Sequence, residues 1–117
     1  MRVSKRKVNR ILENELTSML YQLLADLKTK QEVEIVLKDF LGETEVKTFA
    51  KRMGIAYWLS KGRSVANIRD NLAVSSATIE TVKNQMKKSA GFDLALKKIS
   101  ADEWATVWSE KIKKFVK

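Results

Sequence analysis

The stretch SVANIRDNLAVSSATIETVKNQMKK, residues 64–88, decides the fold. It reads as two short helices joined by a tight turn. Ser64 is a candidate N-cap, because its hydroxyl can accept from an otherwise unpaired amide of the first turn. Val65, Ile68 and Leu72 follow at three- and four-residue spacing, which sets them on one helix face. Ala73-Val74-Ser75 interrupts the pattern. Ser75 or Ser76 then caps a second helix, on which Ile79, Val82 and Met86 repeat at the same spacing. Two apolar faces that must meet across so short a turn make a helix-turn-helix. In such a unit the second helix presents its outer, N-terminal residues to the DNA major groove. Here those are Ser76, Ala77, Thr78, Glu80, Thr81 and Asn84. They are small or polar, so the backbone can approach closely and a few side chains can reach base edges. The pattern alone fits a plain helical hairpin in a bundle equally well; the charge balance separates the two.

The chain has 117 residues, one domain by length, and a formal net charge of +9. An excess of that size suits a polyanionic partner, nucleic acid before an acidic membrane surface. Cys and His are both absent. That removes thiolate chemistry, disulfides, the usual zinc sites and every His-based triad. Glu32/Glu34 and Glu43/Glu45 stand two residues apart on helices and do not face each other. Neither they nor Asp102/Glu103 come with a nucleophile–base constellation, and no Gly-rich phosphate loop is present. The expectation is therefore a protein that is not an enzyme and uses no cofactor and no metal. The start, MRVSKRKVNR, is basic but precedes no apolar signal core, and no apolar run approaches bilayer length. A cytoplasmic protein without a membrane partner is expected. Pro is absent and Gly occurs 4 times, while Lys, Leu, Glu and Ala are abundant, so the chain should be all-α.

Arg2, Lys5, Arg6, Lys7 and Arg10 make the opening wholly basic. Residues 1–7 read as an arm that tracks phosphates or as the solvated start of a helix. From Val8 to Leu27 an apolar stripe follows, longer than one small core can cover, which points to a second copy of the chain. Thr29, with Glu32 three residues on, marks a capping box, and Gly42 ends the helix it opens. Glu43 to Lys61 is a third helix, apolar around most of its circumference and hence central, closed by Gly62. Ser89-Ala90-Gly91 is a weak break, followed by a short helix carrying Phe92, Leu94, Leu96 and Ile99. Ser100 and Glu103 form another capping box, which predicts a separate amphipathic helix over 100–117 with Trp104, Val107, Trp108, Ile112 and Phe115 on one side. Residues 8–99 form the main domain. The sequence contains no internal repeat and no low-complexity segment.

With these helices placed, residues 8–92 resemble the Trp repressor superfamily, most of all its small repressor-like branch called YerC/YecD-type. The match is carried by AKRMGIAYWLSKGRS at 50–64 and NIRDNLAVSSATIETV at 67–82, where Ala77-Thr78-Ile79 coincide with the Ala-Thr-Ile that opens the family's recognition helix. The helices of YQLLADLKTKQEVEIVLKDFL at 21–41 keep comparable lengths. The resemblance implies an intertwined homodimer whose first helices pack across the two-fold axis, with operator binding by the helix starting near Ser76. Several positions depart from the family. Ala73 stands where a turn Gly is usual, at a cost of about 1 kcal/mol in strain or an altered turn. Thr81 and Val82 replace an Arg and a Gly that flank the ligand in tryptophan-sensing members; of the ligand-contacting set, Arg52 agrees. The linker before the helix-turn-helix is shorter than in those members, and the C-terminal helix runs past the family's usual end.

The expected function is sequence-specific duplex DNA binding by a homodimeric transcriptional repressor that does not use tryptophan. The expected DNA face comprises Arg63, Arg69, Ser75, Ser76, Ala77, Thr78, Glu80, Thr81, Asn84 and Lys88. Lys61, Lys83 and Lys87 lie near it. Arg69 matches a basic DNA-contacting position of the family. The expected dimer contacts are Leu16, Met19, Leu20, Leu23, Leu24, Phe49 and Met53. The alternative is a helical protein–protein adaptor whose helix-turn-helix is structural only, a reading favoured by Ala73, by Glu80 on the DNA face and by the aromatic C-terminal helix.

Overall fold

The computed structural model describes residues 9–116, and side chains over 9–103. The basic arm at 1–7, Val8, and the side chains of the Trp104–Phe115 stripe lie outside the described residues. Among the described residues there are six helices and no strand: α1 (Arg10–Asp26), α2 (Lys30–Leu41), α3 (Glu43–Ser60), α4 (Val65–Leu72), α5 (Ser76–Met86) and α6 (Ala90–Val116). The chain divides into two compact units, Met1–Val46 and Lys47–Lys117.

In the first unit the helix ends are set locally. The Asn9 side chain caps α1, accepting from the Ile11 amide at 2.9 Å. Thr29 caps α2, accepting from the Glu32 amide at 3.1 Å. The Glu32 carboxylate reaches back to the Lys28 amide at 2.9 Å, one residue earlier than a standard capping box. Gly42 ends α2 at φ 84°, in the left-handed half of backbone space that favours glycine. Neither α1 nor α2 contains a buried residue. Leu16, Met19, Leu20, Leu23 and Leu24 are all exposed in the single chain, as are Ile35 and Phe40 of α2.

The second unit has a core. Ile55 and Ala56 of α3, Ile68 of α4, and Ile79 and Val82 of α5 are buried together. Trp58, Leu59, Val65, Leu72, Val74, Met86, Phe92 and Leu96 pack around them. The apolar spacing read from 64–88 thus points inward on both helices of the pair. On α3 only Ile55 and Ala56 are buried, while Phe49 and Met53 stay exposed. They line a groove of about 370 Å³ with Arg52, Phe92, Leu96 and Ile99.

One expectation is corrected. α6 is a single helix of 27 residues, and Ser100 lies inside it rather than capping a new one. A Ser-x-x-Glu pattern offers a helix start but does not compel a break. Leu96, Lys97, Lys98 and Ile99 before it are compatible with a continuing helix, with no Gly or Pro among them. Glu103 finds other partners: its carboxylate stands 3.0 Å from Lys61 Nζ.

Candidate nucleic-acid interface

The helix-turn-helix is built from three local devices. Ser64 Oγ accepts from the Asn67 amide at 3.1 Å and starts α4. Ser75 Oγ accepts from the Thr78 amide at 3.1 Å and starts α5, which settles which of the two serines is the cap. Between them Ala73 takes the left-handed conformation, φ 53° and ψ 52°, with its amide donating to the Arg69 carbonyl. The turn keeps the shape a glycine would give it, and the Cβ bears the strain, roughly 1 kcal/mol.

These devices fix which face of α5 looks outward. Ile79 and Val82 enter the core, so Ser76, Ala77, Thr78, Glu80, Thr81 and Asn84 are exposed together. Their hydrogen-bonding capacity differs. The Thr78 hydroxyl is held by Ser75 Oγ at 2.8 Å. The Thr81 hydroxyl donates to the Ala77 carbonyl at 3.0 Å, which leaves it acceptor lone pairs and a methyl group to present. Ser76, Glu80 and Asn84 contribute the remaining polar groups of this face.

The cations around α5 are not equivalent. Arg69 Nε lies 3.1 Å from the carboxylate of Asp70, a pair the charge count alone does not reveal. Lys61 is engaged with Glu103. Lys83, Lys87 and Lys88 are exposed on or just beyond α5. Arg63 lies over the Trp58 ring, its guanidinium carbon 3.9 Å from the ring centroid, and Nη1 donates to Asn67 Oδ1 at 3.2 Å. Gly62 explains this placement. At φ 81° it closes α3 with bonds from the Gly62 amide to the Leu59 carbonyl at 3.0 Å and from the Arg63 amide to the Trp58 carbonyl at 3.1 Å. That is a Schellman motif, and it returns Arg63 over the residue five positions back.

Beside the interface, Tyr57, Lys61 and Glu103 form a cluster joining α3 to α6. The hydrogen bond from the Tyr57 hydroxyl, then that from Lys61, holds the Glu103 carboxyl below its usual range. The Glu103 carboxylate raises both Lys61 and Tyr57. Among the described residues no group of acidic side chains is placed to hold a metal ion. No described helix is long and apolar enough to cross a membrane.

The family model for Trp repressor protein matches residues 14–100, which run from inside α1 into the first part of α6 and include the whole helix-turn-helix. The chain belongs to the Trp repressor family. This is a family of DNA-binding helix-turn-helix regulators, not of enzymes. No curated protein and no solved structure matches the chain. The part of α6 beyond residue 100 lies outside the family match.

Proposed function

We propose that this Trp repressor family member is a homodimeric, sequence-specific reader of duplex DNA that acts in the cytoplasm as a transcriptional repressor, within the YerC/YecD-type branch. The observation that carries the reading is the exposed outer face of α5 between Ser76 and Asn84, capped by Ser75, in a helix-turn-helix that also exposes the cations Arg63, Arg69 and Lys88. Small residues there let the helix enter the major groove, and Asn84 is suited to adenine, Glu80 to the cytosine amine and Thr81 to the thymine methyl. The cations position the protein on phosphates without reading sequence.

The dimer is supported by the first unit. Fully burying a Leu-sized side chain contributes roughly 1.5–3 kcal/mol. Most helical stability in proteins comes from packing of an amphipathic face, and α1 buries no residue in the single chain. Leu16, Met19, Leu20, Leu23 and Leu24 therefore serve as a surface for a second copy, and the exposed Phe49 and Met53 of the second unit as further contacts with it. A two-fold axis would set the two copies of α5 about one helical turn of DNA apart, so the site should be an inverted repeat.

Selection of bound sequences from random duplex DNA tests this reading. An inverted-repeat consensus is the expected result. No enrichment over input would instead favour a protein–protein adaptor, to which the exposed Glu80 carboxylate on the outer face of α5 is better suited.

A further inference from the structure

Arg63 differs from the other cations of the helix-turn-helix in how it is held. Three separate contacts fix it: its amide is bonded to the Trp58 carbonyl, its guanidinium lies on the Trp58 ring, and Nη1 is bonded to Asn67. Its polar partner is a neutral amide oxygen, so its charge is not offset there as that of Arg69 is by Asp70. A guanidinium stacked on an aromatic face keeps its N–H donors in the plane of the fork, pointing away from the ring. With Nη1 engaged at one edge, the other edge retains the paired donors that match a phosphate. Arg63 immediately precedes Ser64, the cap of α4, and in this motif the first helix crosses the DNA backbone.

We propose that Trp58 is a positioning residue that holds Arg63 as a preformed clamp for a DNA backbone phosphate, with Asn67 setting the rotation of the guanidinium. The inference rests on the DNA-binding reading above. Trp58 itself contacts no DNA; it spares Arg63 the ordering cost of binding. A stack of this kind corresponds to about a two- to fivefold change in affinity.

The test is a set of salt titrations of the full chain on a mixed-sequence duplex, comparing Arg63→Ala, Trp58→Leu, Trp58→Phe and Asn67→Ala, the last three also combined with Arg63→Ala. Arg63→Ala should make the salt slope shallower by about 0.9, the signature of one lost phosphate contact. Trp58→Leu should weaken binding about two- to fivefold with the slope kept, because the charge remains. Trp58→Phe should restore most of that loss, and neither Trp58→Leu nor Asn67→Ala should weaken binding further once Arg63 is Ala. Should Trp58→Leu fail to fold, Asn67→Ala, on an exposed position, carries the same comparison. An unchanged slope in Arg63→Ala overturns the clamp while leaving DNA binding standing. Equal losses with and without Arg63 overturn the positioning role of Trp58. A wild-type chain that binds no duplex at any salt removes the DNA reading itself and the clamp with it.

Discussion

Lys61, one residue beyond the end of α3, and Glu103 of α6 meet at 3.0 Å, and the Tyr57 hydroxyl donates to the same carboxylate. This contact ties the end of α3 to the middle of a helix that local signals would have broken at Ser100. It also makes the junction sensitive to pH in a defined direction. Glu103 is held below its usual range, so its contribution is present above the unfolded carboxylate value near ~4.3 and is lost as pH falls through the folded value. Lys61 is raised, so its contribution is present below the unfolded value near ~10.4 and is lost as pH rises through the folded one. Melting curves of wild type and Glu103→Gln should therefore show wild type slightly higher from roughly pH 5 to 9, with the gap closing below about pH 4. The gap should be small, because both partners keep part of their surface in solvent, which screens the pair. A gap that does not change with pH would mean that Glu103 acts by packing rather than by charge.

The turn residue gives a larger effect. Ala73 sits in the left-handed region, and Gly adopts that conformation without the Cβ clash. Ala73→Gly should stabilise the fold by up to about 1 kcal/mol, reduced in part by the greater freedom of Gly in the unfolded chain. Denaturant midpoints should rise with the slope unchanged. A lower midpoint would show that the Ala73 side chain makes contacts that outweigh its backbone strain.

Signals confined to a few residues were the ones legible in the chain. Ser64 and Thr29 cap their helices as read, and Ser75 is the one of the two candidate serines that caps α5, because a cap depends on an amide only a few residues away. The inward faces of α4 and α5 follow from spacing alone. Ser100 and Glu103 carried the same local signature and failed, because Tyr57 and Lys61, more than forty residues away, supply Glu103 with other partners. The stacking of Arg63 on Trp58 had a readable cause in Gly62, since a Schellman turn brings the second residue beyond the C-cap onto the helix's last turn. The pairing of Arg69 with Asp70 depends on rotamers, which a charge count does not include.

That pairing shapes the next expectation. Arg69→Ala should weaken binding to all duplexes and make the salt slope shallower, as the loss of a phosphate contact requires. Asp70→Asn should do the opposite, tightening binding by releasing Arg69 from its neighbour. Thr81→Ala should leave the slope alone and change base preference, since Thr81 lies on the exposed face of α5 proposed to meet the bases. Identical affinities for the Arg69 variant and wild type across a salt series would remove Arg69 from the interface.

The exposed stripe of α1 predicts the oligomeric state. Leu16 and Leu20 are about half exposed in the single chain. Replacing both with Glu should give monomer or unfolded chain, because a second copy must otherwise bury these charges. Sedimentation of the wild type should show a dimer at micromolar concentration. A stable wild-type monomer there would rule out the intertwined architecture.

The ligand of the tryptophan-sensing members provides the last prediction: L-tryptophan should not act as a corepressor here. In the tryptophan-sensing members the resemblance places the indole in a slot bounded by two Arg side chains and opened by a Gly. Arg52 is retained and is exposed beside the α3–α6 groove, where it can meet a carboxylate. The other two positions differ. Thr81 is short, uncharged, and has its hydroxyl bonded to the Ala77 carbonyl, so it offers no long side chain to cover a ring. Val82 is 1 % exposed and belongs to the chain's own core, with Ile55, Ile68 and Ile79. A β-branched side chain on a helix has little rotamer freedom with which to retreat. Opening a slot at Val82 would leave a cavity in that core or force its neighbours apart, and either costs stability. DNA binding should therefore be independent of the amino acid. Calorimetry with L-tryptophan, run beside DNA titrations with and without it, should show no saturable heat and equal affinities. Saturable binding accompanied by tighter DNA binding would mean that the indole is accommodated without displacing Val82.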